Sequence, residues 1–205
     1  MSGSKTMQLD TTARDMLNRT IAVIETDGEE GVRVVDIAKH VGVAVTTLFH
    51  LFGNRDSLIR AAQIERYVRG LATMIEEFDV ATAISKTKED FRAVVIRMVR
   101  SEIAPINSAI RQSRQGVFGS AYGRRELTTA LTESHNSMCL GLQVAFDRAK
   151  DNGWIDPTLD TLATAYWILG LINSRVFIEA GSPQLDRRAW DDLTLKSILR
   201  VLFVD

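Results

Sequence analysis

Apolar residues recur along this chain at helical intervals, and no long segment alternates apolar and polar positions as a half-buried β-strand does. Helical spacing places the apolar side chains on one face, where they can pack on a core. The pattern therefore predicts an all-α protein. The first helix is expected at residues 12–27, where Gly28 ends it and one face is formed by Met16, Leu17, Ile21 and Ile24.

Two short helices follow, and a glycine separates them. Gly42 ends the first, because glycine adopts the left-handed conformation at little cost. The apolar positions of this first short helix are Val34, Ile37, Ala38 and Val41. The residues of the second short helix that are expected to face inward are Val45, Leu48 and Phe52. Its other side is therefore expected to carry Thr46, Thr47, Phe49 and His50.

The chain breaks again at Gly53 and Asn54, and Asp56 can begin the next helix. Apolar residues continue at helical spacing from there to Met74, which predicts one continuous helix. The remaining helices are predicted at residues 87–101, 105–115, 126–151, 158–181 and 187–204.

Two short helices joined through a glycine turn and packed on a preceding helix form a helix-turn-helix, a unit that binds DNA. Its second helix enters the major groove by its N-terminal residues, whose side chains must be short enough to approach base edges. Residues at the start of the next helix can bind phosphate through side chains and free backbone amides. The candidate DNA-binding residues are Arg33, Val45, Thr46, Thr47, Phe49, His50, Asn54 and Arg55.

This block resembles the DNA-binding domain of the TetR family of transcriptional regulators over about residues 14–62. The resemblance lies in Met16-Leu17 and residues 21–28, in Val34-Val35-Asp36-Ile37-Ala38 with Val41-Gly42-Val43, in residues 47–52, and in Asn54-Arg55-Asp56-Ser57-Leu58. It implies a helix-turn-helix domain at residues 1–58 and a larger helical domain for ligand binding and dimerisation at residues 59–205. It also implies a homodimeric repressor that leaves a palindromic operator when a small-molecule effector binds.

Five positions depart from the family pattern, and at one of them Arg55 replaces a usual lysine while keeping the charge. Phe49 stands where a tyrosine usually donates a hydrogen bond to phosphate, and Leu51 stands where tyrosine or histidine is common. Ala44 and Arg33 occupy positions where serine or threonine usually caps the two short helices. These departures leave an alternative open: a regulator-like module for ligand binding or interaction, in which DNA binding is weak or lost.

The predicted helix at residues 158–181 is apolar on nearly all sides, so one side can pack on its own core and another on a partner. Together with the last helix it would form the homodimer interface, since a palindromic site requires two symmetric copies. Aromatic and polarizable side chains give a candidate ligand pocket for an effector of unknown identity. The residues of this pocket are Phe118, Tyr122, His135, Met138, Cys139, Tyr166, Trp167 and Asn173.

Charge and composition add little to this picture. The net charge is −1, yet residues 86–125 hold nine basic and three acidic residues, which indicates either an acidic effector or simply a solvated face. His135 and Cys139 are too few ligands for a metal site, and a buried cysteine is usually inert packing, so neither an enzyme nor a cofactor is expected. The single cysteine and the absence of an apolar leader or a membrane-length apolar run predict a cytoplasmic protein.

Overall fold

The computed structural model describes the backbone of residues 2–69, 71–181 and 184–203, and the side chains of these ranges from residue 11 onward. Within them the chain is all-α, as the periodicity predicts, and no strand occurs. The helices are α1 (Ser2–Asp27), α2 (Val34–Val41), α3 (Val45–Phe52), α4 (Arg55–Val68), α5 (Leu71–Ile84), α6 (Lys88–Ile103), α7 (Ser108–Ala121), α8 (Arg125–Asp151), α9 (Thr161–Glu179) and α10 (Arg187–Leu202).

The prediction of one continuous helix from Asp56 to Met74 is wrong. The structure has two helices there, because Arg69 leaves the helical region (φ −58°, ψ 128°) while its guanidinium donates to Asn18 of α1 at 2.7 Å. Both helices carry apolar residues at helical spacing, so periodicity alone did not show the break. Val204, the last residue of the final predicted helix, lies outside the described residues.

Two other predicted helices begin later than expected. Residues 105–107 form a 3-10 turn before α7. The helix expected from residue 158 begins at Thr161, where the Asp160 side chain caps it by accepting from the Ala163 amide at 2.9 Å. A capping carboxylate satisfies one of the amides that the first helical turn leaves unpaired, and this fixes the start of α9.

The N-terminal helices enclose a small core of their own. Met16 of α1, Leu48 of α3 and Leu58 of α4 are each fully buried in it. A larger core fills the rest of the molecule, with Phe91 of α6 and Phe146 of α8 near its centre. Helix α4 contributes to both cores, so it joins them without a flexible linker. A domain boundary at residue 58 therefore stays a prediction.

Helix α9 has the length and apolar composition of a membrane span. Its neighbours explain that composition, because it packs against α6, α7, α8 and α10 in the larger core. Its one arginine, Arg175, is buried and its Nε donates to Asp191 of α10 at 2.6 Å. Packing in the larger core accounts for the buried face of α9, whereas Trp167 and Phe177 on its other side are exposed.

The start of α3 lacks a side-chain cap, because Ala44 occupies the capping position in extended conformation (φ −70°, ψ 147°). We expect Ala44→Ser to raise the free energy of unfolding by about 1 kcal/mol, since a serine oxygen can accept from an amide of the first turn. Chemical denaturation monitored by circular dichroism measures the change. The control Ala93→Ser, at an exposed interior position of α6, should lower stability slightly; equal effects of the two variants would contradict the capping argument.

Candidate nucleic-acid interface and ligand cavities

Helices α2 and α3 form a helix-turn-helix, with a bend of 107° between their axes. Gly42 makes the turn in the left-handed conformation (φ 75°, ψ 32°), and the Val43 amide donates back to the Ala38 carbonyl at 3.0 Å. Leu48 anchors α3 in the small core. The predicted turn at Gly42 and the predicted inward position of Leu48 are therefore confirmed.

The outer face of α3 carries Thr46, Phe49 and His50, all exposed, whereas Val45 and Thr47 are partly buried beside it. Thr46, in the first turn of α3, is a short polar group in the part of the helix that a major groove admits, and His50 lies one turn further along the same face. Phe49 is 44% exposed and presents an apolar ring there. Leu51 is partly buried and packs against the small core instead.

Asn54 and Arg55 have structural contacts of their own at the start of α4. Asn54 caps this helix by accepting from the Ser57 amide at 2.8 Å, and Asn54 itself is exposed. Arg55 fastens the loop between α1 and α2: its Nε donates to the Val32 carbonyl at 2.8 Å, and its Nη2 to the Glu29 carbonyl at 2.5 Å. Arg33 is exposed at the start of α2 and makes no capping bond. Phosphate contacts by these three side chains remain predictions.

Four of the eight predicted ligand residues lie together around a cavity of about 460 Å³ between α7, α8 and α9. They are Phe118, Tyr122, His135 and Tyr166. Tyr122 is 92% exposed and lies at the rim. The remaining lining is mostly apolar or hydroxyl-bearing, so this cavity suits an apolar molecule.

Cys139 lies beneath that cavity in a buried polar chain. The Tyr67 hydroxyl is 2.5 Å from His135 Nδ1, and Cys139 Sγ is 3.6 Å from His135 Nε2. Burial raises the pKa of the Cys139 thiol to about 11 and that of Tyr67 to about 12, and it lowers the pKa of His135. All three groups are therefore held neutral near pH 7, which is the opposite of an activated thiolate.

The other predicted ligand residues lie elsewhere. Met138 lines a shallow groove between α5 and α8. Trp167 is 37% exposed on the outer face of α9, and Asn173, on the same helix, is half-buried with its Oδ1 lacking a hydrogen-bond partner among the described residues. The structure thus divides the predicted pocket into separate locations.

A second cavity, of about 450 Å³, lies between α5, α6 and α7, and sequence reasoning did not identify its residues. Its floor is apolar and includes Met74, Phe78 and Met98, whereas Glu102 and Arg114 are the buried charged residues in its wall. The sequence feature that pointed toward this cavity was the excess of basic residues at 86–125, because that stretch includes Arg114.

Polar contacts join the two parts of the molecule around α7 and the start of α8. Glu29 accepts from Arg124 at 2.6 Å and from Gln63 at 2.7 Å. The Ser113 hydroxyl donates to Glu25 of α1 at 2.9 Å and accepts from Arg66 of α4 at 3.2 Å. Helix α7 therefore contacts both the N-terminal helices and the second cavity.

The described residues hold no group of three or more histidine, cysteine, aspartate or glutamate side chains arranged to bind a metal ion. The chemistry available at these sites is hydrogen bonding, charge pairing and apolar contact. Such groups suit recognition of another molecule.

Residues 16–62 match the family model of the bacterial regulatory proteins of the tetR family. No curated protein sequence matches the chain significantly. Among solved structures, a protein from Mesorhizobium loti assigned to the TetR-family transcriptional regulators aligns with a TM-score of 0.72 at 16% identity, over 96% of this chain and 98% of that one.

Two further structures contain small molecules. A protein from Saccharomonospora viridis assigned as a transcriptional regulator, in complex with choline, aligns with a TM-score of 0.66 at 12% identity, over 96% of this chain and all of the other (100%). The transcriptional regulator FadR from Bacillus subtilis, in complex with stearoyl-CoA, aligns with a TM-score of 0.60 at 21% identity, over 92% of this chain and 97% of that one.

At these sequence identities the structural likeness establishes only the fold of the whole chain. The family model establishes the family of residues 16–62. The resemblance seen in the sequence is confirmed. Residues 16–62 are a helix-turn-helix domain of the tetR family of bacterial regulatory proteins, and the chain has the fold of that family's transcriptional regulators.

Proposed function

We propose that this protein is a cytoplasmic transcriptional repressor that binds a palindromic operator in double-stranded DNA as a homodimer and leaves it when a small-molecule effector binds. The observation that carries the proposal is the outer face of α3, where Thr46 and His50 are exposed on a helix that crosses α2 at 107°. This geometry can present the Thr46 hydroxyl and, one turn further along, the His50 imidazole to a major groove.

Dimerisation is supported by exposed apolar residues on the last two helices, which on α10 lie among the exposed charged residues Asp192, Lys196 and Arg200. The outer face that they form includes Ala163, Trp167, Gly170 and Phe177 on α9, and Leu193 and Val201 on α10. Phe177 and Leu193 are 67% and 63% exposed, although large apolar side chains are usually buried. A two-fold axis through this face would bury both stripes against a second copy.

Effector control is supported by the position of α7. This helix borders both cavities of the larger domain and contacts α1 through Ser113 and Glu25. A molecule that binds one arrangement of α7 better than another would shift the orientation of the DNA-binding helices. Two proteins of this fold hold choline and stearoyl-CoA, so a cavity of this fold can accept very different ligands.

The proposal is tested first by selecting bound sequences from random duplex DNA with the purified protein, its oligomeric state being checked by sedimentation. Enrichment of one palindrome by a dimer is the expected outcome, with binding that weakens steeply as salt increases. A folded dimer that enriches no sequence would refute the repressor. It would favour the alternative, a regulator-like ligand-binding or interaction module with weak or lost DNA binding, which Ala44, Phe49 and Leu51 also favour.

The assignment of α3 as the recognition helix is tested by Thr47→Glu. We expect operator affinity to fall by more than about 100-fold, because a carboxylate at this position meets the negative charge of DNA, while the denaturation midpoint stays close to that of the parent protein. Gel shift against the selected palindrome measures the affinity. Gln112→Glu places the same charge on an exposed position of α7 and should bind as the parent does; full affinity in Thr47→Glu would remove α3 from the interface.

The dimer interface is tested by Leu193→Glu. A glutamate here would bring two like charges into an apolar contact, so we expect the dimer dissociation constant to rise by about 100-fold or more. Analytical ultracentrifugation measures it. The matched control is Ile84→Glu, which alters a side chain that is 74% exposed at the end of α5. Monomerisation by the control variant alone would place the interface on another face.

A further inference from the structure

The second cavity contains a buried arginine whose hydrogen bonds are largely unmade. Arg114 of α7 lines this cavity and is 3% exposed. Its Nε and Nη1 have no hydrogen-bond partner among the described residues. Its Nη2 is 3.9 Å from Glu102 Oε2, which is too long for a hydrogen bond. A buried guanidinium in this state lacks the acceptors that would offset the cost of its burial.

Arg111, one helical turn earlier on α7, shows the contrasting arrangement. Its guanidinium donates to the Glu102 carbonyl at 2.5 Å, to the Ala104 carbonyl at 3.1 Å, and to the Glu179 carboxylate. Arg111 therefore has a structural role that joins α6, α7 and α9. Among the described residues, Arg114 has one carboxylate at 3.9 Å and leaves both Nε and Nη1 unpartnered, whereas Arg111 leaves only its Nε unpartnered. Packing alone therefore does not explain the position of Arg114 beside the cavity.

The rest of the lining restricts what Arg114 can bind. Met74, Phe78, Val94 and Met98 form an apolar floor, which suits a hydrocarbon part. Glu102 in the wall and Glu77 at the exposed mouth would repel a ligand with several negative charges.

We propose that the cavity between α5, α6 and α7 binds an amphipathic monocarboxylate, whose carboxylate accepts from Arg114 and whose hydrocarbon part lies on the floor formed by Met74, Phe78, Val94 and Met98. An arginine and a carboxylate pair in a planar, two-point geometry that fits a guanidinium with free N–H groups. The volume of about 450 Å³ lies within the range of small-molecule sites.

Binding here acts directly on α7. Ser113, the neighbour of Arg114, contacts Glu25 of α1 and Arg66 of α4. A shift of α7 therefore changes the contacts that position the N-terminal helices. The role of this carboxylate as the effector rests on the function proposed above. The binding itself does not depend on that function.

Isothermal titration calorimetry with straight-chain carboxylates from hexanoate to dodecanoate tests the binding, with the matching alcohols and amines as controls. We expect at least one carboxylate to bind and its alcohol and amine to bind at least about tenfold more weakly, because charge-assisted bonds to a buried guanidinium discriminate by that amount. Equal binding of the alcohol, tighter binding of the amine, or no binding of any carboxylate would overturn the proposal.

Two variants change the affinity in opposite directions. Arg114→Gln should weaken binding of the best carboxylate by roughly 10- to 100-fold. Glu102→Gln keeps the shape of the side chain and removes a potential negative charge, so it should tighten binding by about threefold or more. If Arg114→Gln fails to fold, Glu102→Gln still decides the question, since unchanged or weaker binding in a folded Glu102→Gln protein would overturn the proposal.

The control Tyr122→Ala alters the exposed rim of the first cavity and should leave carboxylate binding unchanged. A loss of binding in this variant alone would move the ligand to that cavity and overturn the assignment. The same carboxylate is then added to the complex with the selected palindrome in a gel shift. Binding by calorimetry without release of DNA would keep the carboxylate site and refute its role as the effector, so the two proposals fail separately.

Discussion

The architecture depends on one helix that is buried in both cores. Near its start α4 places Leu58 and Ile59 in the small N-terminal core, and near its end it places Tyr67 in the large one, each at most 1% exposed. Detaching either end would expose fully buried side chains, at a cost of about 1.5–3 kcal/mol for each large one. The helix-turn-helix is therefore joined to the larger domain by a buried helix rather than by a flexible linker.

A second constraint is the number of charges buried between α6, α7, α9 and α10. Arg111 donates to Glu179 of α9, and Arg175, which lies near Glu179, donates to Asp191 of α10. Burying charges is costly unless each has partners, so such a network favours one relative placement of the helices over others. It extends from α7, which borders the second cavity, to the helices that carry the exposed apolar stripes. The proposed ligand site and the proposed dimer interface are thus connected through side chains that cannot move independently.

The helix-turn-helix could be predicted from sequence because every part of it is local. A left-handed glycine at Gly42, inward residues at helical spacing and the turn after Phe52 all act within a few neighbouring positions. The break at Arg69 and the second cavity depend on distant partners instead. Nothing near Arg114 in sequence shows that it is buried beside α5 and α6, and a basic stretch is compatible with a solvated face. The predicted ligand residues do not form one pocket, because neighbours in sequence on a helix can face different partners. Met138 and Trp167 share helices with Cys139 and Tyr166 but point in other directions.

The free energies of the contacts determine which of them can carry the proposed signal from the cavities to α3. Exposed or half-exposed ion pairs such as Arg124 with Glu29 contribute roughly 0–1 kcal/mol each, whereas a tenfold change in operator affinity requires about 1.4 kcal/mol. Those pairs alone are therefore too weak to carry the coupling. The stronger connection is the packing of α7 on α4, where Phe118, 47% exposed, and the buried Tyr67 form an edge-to-face ring contact with centroids 5.3 Å apart. Val117, next to Phe118 on α7, is fully buried in the larger core. Because buried, close-packed side chains resist compression, the proposed shift of α7 on ligand binding would displace Tyr67, and with it α4.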